Sequence, residues 1–198
     1  HPGTLVLAFC VIPTKSRRQA AGRTTPSRND IGRTPLSLLA TTDNVGTQQI
    51  TRSNTTSGST PTTNHYQLAY RIARPMALSS RQAAPVVVLH GGPSVPSDYL
   101  YPLQQVLPYR SIIYYDQIGC GRSDEPKDVA EYSIEYALDD LEALLKKLGV
   151  RRCHLYGQSF GGILAYEYMK RLAERTDKDN SDGVVVLSAI LSSSPTSV

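Results

Sequence analysis

The chain has 198 residues, of which 40% are apolar, and this length allows one globular domain with a hydrophobic core. Its formal net charge of +4 comes from the first 60 residues, which hold seven Lys or Arg and two Asp, while the remainder is close to neutral. This distribution argues against a nucleic-acid partner. The cysteines Cys10, Cys120 and Cys153 are isolated, so neither a disulfide framework nor a metal site is predicted. No apolar run approaches the roughly 20 residues of a membrane span.

Residues 1–62 are predicted to be a disordered or targeting leader. They are rich in Ser, Thr and Arg, and beyond the first dozen residues they show no helical or strand periodicity. The short apolar run from Thr4 to Ile12 suits the remnant of a signal sequence, and the acid-poor stretch behind it resembles an organelle transit peptide. A plain disordered extension explains the composition equally well. A cytoplasmic and an organellar location therefore both stay open.

Residues 63–198 form the second predicted region, in which strands alternate with helices. Apolar residues at every second position from Tyr66 to Ile72 indicate a strand, and apolar residues at helical spacing between Ser133 and Gly149 indicate a capped helix. In chain order the predicted elements are strands at 66–72 and 85–89, a short helix at 97–108, a strand at 111–115, a helix after Ser133, a strand at 152–156, a helix at 160–175 and a strand at 183–192. This alternation predicts an α/β fold with a mostly parallel, doubly wound sheet.

The pentapeptide Gly157-Gln158-Ser159-Phe160-Gly161 matches the pattern G-x-S-x-G and lies between a predicted strand and a predicted helix. A nucleophilic serine at such a junction occupies a tight turn, and small neighbours, here including Gly162, let the strand and the helix approach closely. Its hydroxyl then projects at a helix N-terminus, where the dipole favours developing negative charge. We therefore predict that Ser159 is a nucleophile. An ordinary glycine-rich turn with an incidental serine is the alternative.

The sequence His90-Gly91-Gly92-Pro93-Ser94 follows the buried strand 85–89 directly. An oxyanion hole takes one amide from a loop of this kind and one from the residue after the nucleophile. The predicted donors are therefore the N–H groups of Gly92 and Phe160. A Gly-Pro turn with no ligand is the alternative.

The segment from Asp116-Gln117 to Asp124 follows the strand at 111–115, and Gly119 and Gly121 allow a tight loop there. The carboxyl ends of parallel strands are where such sheets bind ligands. We expect this loop to shape the site and to pack beside the oxyanion loop, without a direct chemical role for Asp116.

These three motifs, in this order, resemble the proline iminopeptidases, which are serine peptidases with the α/β-hydrolase fold. "HGGP", "YYDQIGCGRSD" and "GQSFGG" are similar to that family's HGGPG, DQxGxGxS and GQSWGG signatures. The resemblance covers the stretch from about Tyr66 to Pro195, which corresponds to the N-terminal part of the family's catalytic domain. Ser94 stands where the family has its last Gly, and Phe160 stands where it has Trp. Both departures flank the acyl site, so they bear on substrate preference.

The resemblance implies an aminopeptidase that releases N-terminal proline, or another small residue, from a peptide or an amino-acid amide. Ser159 attacks the carbonyl, the amides of Gly92 and Phe160 hold the oxyanion, and water releases the acyl-enzyme. His90, Gly91, Pro93, Gly157, Gln158, Gly161, Gly162, Asp116 and Gln117 shape the site. No metal or cofactor is implied.

The fold orders its triad as Ser, then acid, then His, and no histidine follows Ser159 in this sequence. We therefore expect a chain truncated before the cap and the last strands, with 183–192 as an exposed edge strand. Without its base a serine hydroxyl is a poor nucleophile, so the 198 residues alone are predicted to be inactive. A serine amidase or esterase of the same fold, and an inactive truncated hydrolase domain with a binding role, are the competing hypotheses.

Overall fold

The structure, a computed structural model, describes residues 10–11, 42–54, 62–75, 83–175 and 183–193. Within these residues seven strands form one sheet: β1 (Cys10–Val11), β2 (Thr42–Asn54), β3 (Thr62–Arg74), β4 (Val86–Leu89), β5 (Ile112–Tyr115), β6 (Arg152–Gln158) and β7 (Val185–Ser192). Their order across the sheet is β1-β7-β6-β4-β5-β3-β2. The four central strands are parallel, while β3, β2 and β1 are antiparallel to their neighbours. The predicted α/β class with a mostly parallel sheet is confirmed.

Strands β4 and β5 are buried along their whole length, because helical segments cover both faces of the sheet. Their sequences, VVVL and IIYY, are the continuous apolar runs that two covered faces require. Val87 pairs with Ile113 on one side and with Leu155 on the other, which fixes the register of the centre. The carboxyl ends of these strands therefore meet at one edge, where the three sequence motifs begin.

In the part of the chain that the structure describes, three α-helices accompany the sheet: α1 (Leu103–Val106), α2 (Ile134–Lys147) and α3 (Phe160–Glu174). Helix α2 begins at Ser133, whose hydroxyl accepts from the Tyr136 amide at 3.1 Å. Leu141 and Leu144 on α2 and Leu164 on α3 belong to the larger apolar cluster, so these two helices cover one face. The predicted helix at 97–108 is instead a 3₁₀ turn at Ser97–Leu100 followed by α1, and it covers the other face.

The predicted leader extended to residue 62, but residues 42–54 form the strand β2. This strand pairs with β3 along its whole length, from Thr42 opposite Arg74 to Asn54 opposite Thr62. Its sequence shows no apolar alternation because, among residues 43–52, whose burial the structure describes, only Ile50 and Arg52 are buried, and one of these is charged. The remainder of the proposed leader, at 1–9, 12–41 and 55–61, lies outside the described residues.

The expected edge strand, β7, is paired on both sides over part of its length. β6 lies along one edge, and on the other Ser188 and Ala189 pair with Val11 and Cys10. The exposed edge is therefore shorter than the sequence predicts. Within the described residues, no helix combines the length and the hydrophobicity needed to cross a membrane.

Candidate active site

Ser159 lies between the end of β6 and the first residue of α3, in the geometry of a sharp strand-to-helix turn. Its backbone angles are φ 52° and ψ −118°, a conformation that residues with a side chain rarely adopt. Its amide donates to the Ser192 carbonyl at 2.8 Å, and its carbonyl accepts from the Gly162 amide at 2.9 Å. The chain on either side is thus fixed, and the serine is held in a strained conformation at the helix N-terminus.

The glycines around Ser159 are required by close approach of three segments. A Cβ on Gly157 would overlap the Gly161 carbonyl and lie 2.7 Å from the Gly162 Cα. A Cβ on Gly161 would overlap the Leu89 carbonyl, at the end of the neighbouring strand β4. The motif therefore brings α3 against both β6 and β4, which places the amide of Phe160 near the loop that follows β4. That amide is at the first turn of α3, where N–H groups have no partner within the helix.

The loop after β4 presents the second candidate oxyanion donor. Gly92 has φ 114°, which favours glycine, and it follows a peptide plane that His90 fixes. The His90 Nδ1 lies 2.8 Å from the Gly91 carbonyl oxygen. In a planar trans peptide the C=O and the following N–H point in opposite directions. The His90 ring therefore sets the direction of the Gly92 N–H.

His90 is fully buried, and both of its ring nitrogens are engaged. Nε2 accepts from the Gln117 amide at 2.9 Å, which requires the proton to be on Nδ1. The Gln117 side chain returns a bond to the His90 carbonyl at 2.9 Å. Burial lowers the pKa of His90, so the ring stays neutral. His90 thus holds the loop after β4 against the loop after β5.

Tyr99 completes this arrangement, and no sequence motif pointed to it. Its hydroxyl accepts from the Gly91 amide at 2.8 Å and donates to the Gln158 Oε1 at 2.6 Å. Tyr99 therefore links the loop after β4 to Gln158, the residue before Ser159. It also occupies the Gly91 amide, which leaves the Gly92 and Phe160 amides as the candidate donors. Tyr99 lies in the 3₁₀ turn Ser97–Leu100, 59 positions from Gln158, so its partner is not readable from the sequence.

The carboxylate of Asp116 is used entirely for holding loops together. Oδ1 accepts from the amide and the hydroxyl of Ser97 at 2.9 and 2.7 Å, and Oδ2 accepts from the Arg122 amide at 3.0 Å. Asp98 forms a two-pronged ion pair with Arg122 at 2.8 Å, and this bond lowers the pKa of Asp98. Ser123 accepts from the Ala69 amide and donates to the Asp116 carbonyl. These contacts support a structural role for the loop.

The remaining histidines that the structure describes lie on strands. The His154 Nδ1 is 2.7 Å from the Ser188 hydroxyl, between β6 and β7. The His65 Nδ1 on β3 is 3.2 Å from the Thr51 hydroxyl on β2. Burial, with help from nearby Arg110, lowers the pKa of His154. In the described part of the chain no three residues among His, Cys, Asp and Glu come together as a cluster that could hold a metal ion.

Comparison with known proteins agrees with this geometry. The sequence profile of the family described as the alpha/beta hydrolase fold matches residues 84–197. The proline iminopeptidase of Saccharolobus solfataricus is 47% identical over 85 residues, which are 42% of this chain and 27% of that protein. The proline iminopeptidase of Lactobacillus helveticus is 42% identical over 107 residues, or 52% of this chain and 35% of that protein. The chain thus spans about a third of the length of these curated relatives.

Two solved structures resemble the chain over about two thirds of its length. The proline iminopeptidase-related protein of Thermus thermophilus superposes with a TM-score of 0.50 at 26% identity, covering 64% of this chain and 41% of that one. A probable hydrolytic enzyme of Pseudomonas aeruginosa superposes with a TM-score of 0.50 at 24% identity, covering 65% and 39%. The second likeness concerns the fold alone.

Proposed function

Because the chain belongs to the alpha/beta hydrolase fold family, we propose that it carries the nucleophile and the oxyanion hole of a serine aminopeptidase of the proline iminopeptidase kind. Ser159 is the nucleophile, and its target is the carbonyl of the N-terminal residue of a peptide or an amino-acid amide. The names of the curated relatives support the substrate class, and the local geometry supports the acyl-transfer chemistry.

The observation that carries the proposal is the strained Ser159 next to a fixed peptide plane. A serine at φ 52° persists only where its surroundings hold it, and such residues cluster at functional sites. The plane ending in the Gly92 N–H is held by His90, which itself is fixed by Gln117. Such preorganised donors stabilise the charge that develops on the carbonyl oxygen, and removing one from an enzyme costs about 10²- to 10³-fold in kcat.

The reaction then proceeds through an acyl-enzyme. The Ser159 oxygen forms a bond to the carbonyl carbon, the oxyanion is held by the Gly92 and Phe160 amides, and the leaving amine departs with a proton. Water attacks the ester and regenerates the serine hydroxyl. Taking the serine proton requires a general base, and the four histidines of the sequence (1, 65, 90 and 154) all precede Ser159. We therefore propose that these 198 residues alone lack peptidase activity.

The proposal is tested by hydrolysis of Pro-arylamides and of aryl esters by the complete protein that contains this chain. We expect turnover of the Pro-arylamide that is lost in Ser159→Ala, with Ser188→Ala as a matched control that keeps activity. Turnover of esters with none of Pro-arylamides would favour a serine esterase or amidase instead. No turnover of either class, in a folded complete protein, would favour an inactive hydrolase domain with a binding role.

A further inference from the structure

A cavity of about 240 Å³ lies beside the two candidate oxyanion donors. Its wall includes Phe160, which bears one of the donor amides, and Pro93, which follows the other donor residue. Residues 132–134, which lead into helix α2, form another part of the wall. A group attached to a carbonyl at Ser159 therefore has an adjoining space to enter. The volume suits one side chain and is smaller than the pockets that hold drug-sized ligands.

Arg52 lies in the wall of this cavity, although it belongs to β2, the strand that the sequence assigns to a leader. Only 4% of the residue is exposed. Its guanidinium donates to the Asp140 Oδ2 on α2 at 2.6 Å. It also donates to the backbone oxygen of Glu131, the last residue of the 3₁₀ turn Val129–Glu131. These two acceptors stand on either side of residues 132–134 in the chain, so one side chain holds both ends of this part of the wall.

Further contacts join the same part of the wall to the hairpin of β2 and β3. The Glu131 Oε1 accepts from the Tyr66 hydroxyl at 2.9 Å and from the Asn64 side-chain amide at 2.9 Å, and both donors are on β3. The Arg52 guanidinium lies 4.8 Å from the centre of the Tyr136 ring, in the first turn of α2. The position of the wall relative to the candidate oxyanion donors therefore depends on this hairpin.

The stability of the fold does not by itself explain a buried arginine at this place. The cost of removing a buried ion pair from water roughly offsets the attraction between its charges, and apolar side chains of similar volume often serve as well. What a guanidinium adds is a rigid planar fork of N–H donors, which fixes two acceptors in one geometry. Arg52 uses this fork on one side-chain oxygen and one backbone oxygen, both at the border of the cavity. Its distinctive contribution is therefore the geometry of the wall.

We propose that Arg52 is a positioning residue for substrate binding, which acts by holding Glu131 and Asp140 at the wall of the cavity that receives the N-terminal residue of the substrate. The inference rests on the proposed function for the identity of that residue. It makes the β2–β3 hairpin a working part of the site. A wall of fixed position contacts the substrate equally in the ground state and in the transition state. Loss of Arg52 should therefore raise KM and leave kcat unchanged.

Kinetics on the complete protein give the first test, with arylamides of proline and of pipecolic acid, whose ring is larger by one methylene. We expect the wild type to favour proline in kcat/KM by about 10-fold or more, the usual worth of one methylene in a fitted pocket. Arg52→Met should raise KM for proline by about 10-fold, the factor that a lost bond to a charged group typically carries, and should bring the two kcat/KM values closer together. Neither KM nor this ratio depends on the fraction of folded enzyme, so instability alone would not change them. An unchanged KM and an unchanged ratio would overturn the proposal.

Two further variants separate the position of Arg52 from a general effect of the hairpin. Arg52→Lys keeps the charge but replaces the fork by a single ammonium group, so it should restore KM only in part. Arg71 provides the matched control, because it belongs to β3 of the same hairpin and pairs with Asp43 of β2 at 2.7 Å, away from the residues that line the cavity. Arg71→Met should leave KM and the substrate ratio unchanged. Equal changes in Arg71→Met and Arg52→Met would count against the proposal.

Binding without turnover separates this proposal from the proposed function. Prolinamide is titrated calorimetrically into the complete protein carrying Ser159→Ala, with and without Arg52→Met. We expect Arg52→Met to raise the Kd by about 10-fold and Arg71→Met to leave it unchanged. An equal Kd with and without Arg52 would overturn the positioning role, even if the wild type hydrolyses Pro-arylamides. If the wild type hydrolyses no arylamide but prolinamide binding depends on Arg52, the proposed function fails and the positioning role stands.

Discussion

The variant Ser159→Gly should be more stable than Ser159→Ala, although both variants lack the Ser159 hydroxyl. At φ 52° and ψ −118° the backbone is in the region of the first central residue of a type II′ turn, which glycine adopts without steric cost. Holding a residue with a Cβ in such a region costs about 1–3 kcal/mol. Glycine loses about 0.5–1 kcal/mol more conformational freedom on folding than alanine. The expected net gain of Ser159→Gly over Ser159→Ala is therefore about 0–2.5 kcal/mol, with a midpoint near 1 kcal/mol.

Urea-induced unfolding of the two variants of the 198-residue chain measures this difference, provided that the m-values agree. Ser188 supplies a control, because it lies within β7 and its φ is not positive. There the order should be reversed, with Ser188→Ala more stable than Ser188→Gly by about 0.5–1 kcal/mol. If Ser159→Gly is less stable than Ser159→Ala, the serine is not strained and the backbone conformation described for it is wrong.

Three further outcomes follow from the structure. Gly161→Ala should lower the free energy of unfolding by about 3 kcal/mol, because the added Cβ would overlap the backbone oxygen of Leu89. An unchanged midpoint of urea unfolding would refute this close approach. Tyr99→Phe should lower kcat of the complete protein by up to about 10-fold with KM unchanged. The reason is that the loop after β4 loses its hydrogen-bonded link through the Tyr99 hydroxyl to Gln158. A change in KM alone would contradict this prediction. Burial raises the pKa of Asp140 to about 6 despite its Arg52 partner, so a ¹³C titration should show a midpoint near pH 6. The folded state then binds this proton more tightly than the unfolded state does. The contribution of Asp140 to the free energy of unfolding is therefore present below about pH 4 and lost as the pH rises through 6. Asp140→Asn should remove this pH dependence.

The parts of this molecule that the sequence predicts are those encoded by neighbouring residues. The apolar runs at β4 and β5 indicate strands buried on both faces, and the glycines flanking Ser159 indicate a tight strand-to-helix junction. Both signals are local, because covered faces require continuous apolar residues and close backbone approach requires glycine. The three motifs then meet because parallel strands place their carboxyl ends at the same edge.

What the sequence does not reveal depends on partners far away along the chain. The polar strand β2 is held by pairing with β3, and its Arg52 is buried against Asp140, which is 88 positions away. Tyr99 acquires its role only when the loops after β4 and β6 lie side by side. In both cases the residue type is compatible with an exposed surface, and only the fold shows that it is engaged.

The central claim is that Ser159 is the nucleophile of an acyl-transfer enzyme, and covalent labelling tests it most directly. The complete protein would be treated with a fluorophosphonate, digested and mapped by mass spectrometry, while residual Pro-arylamide hydrolysis is followed in the same samples. We predict one adduct per chain on Ser159, loss of hydrolysis in proportion to labelling, and neither adduct nor hydrolysis in Ser159→Ala. An adduct on another residue, or hydrolysis that survives in Ser159→Ala, would contradict the claim.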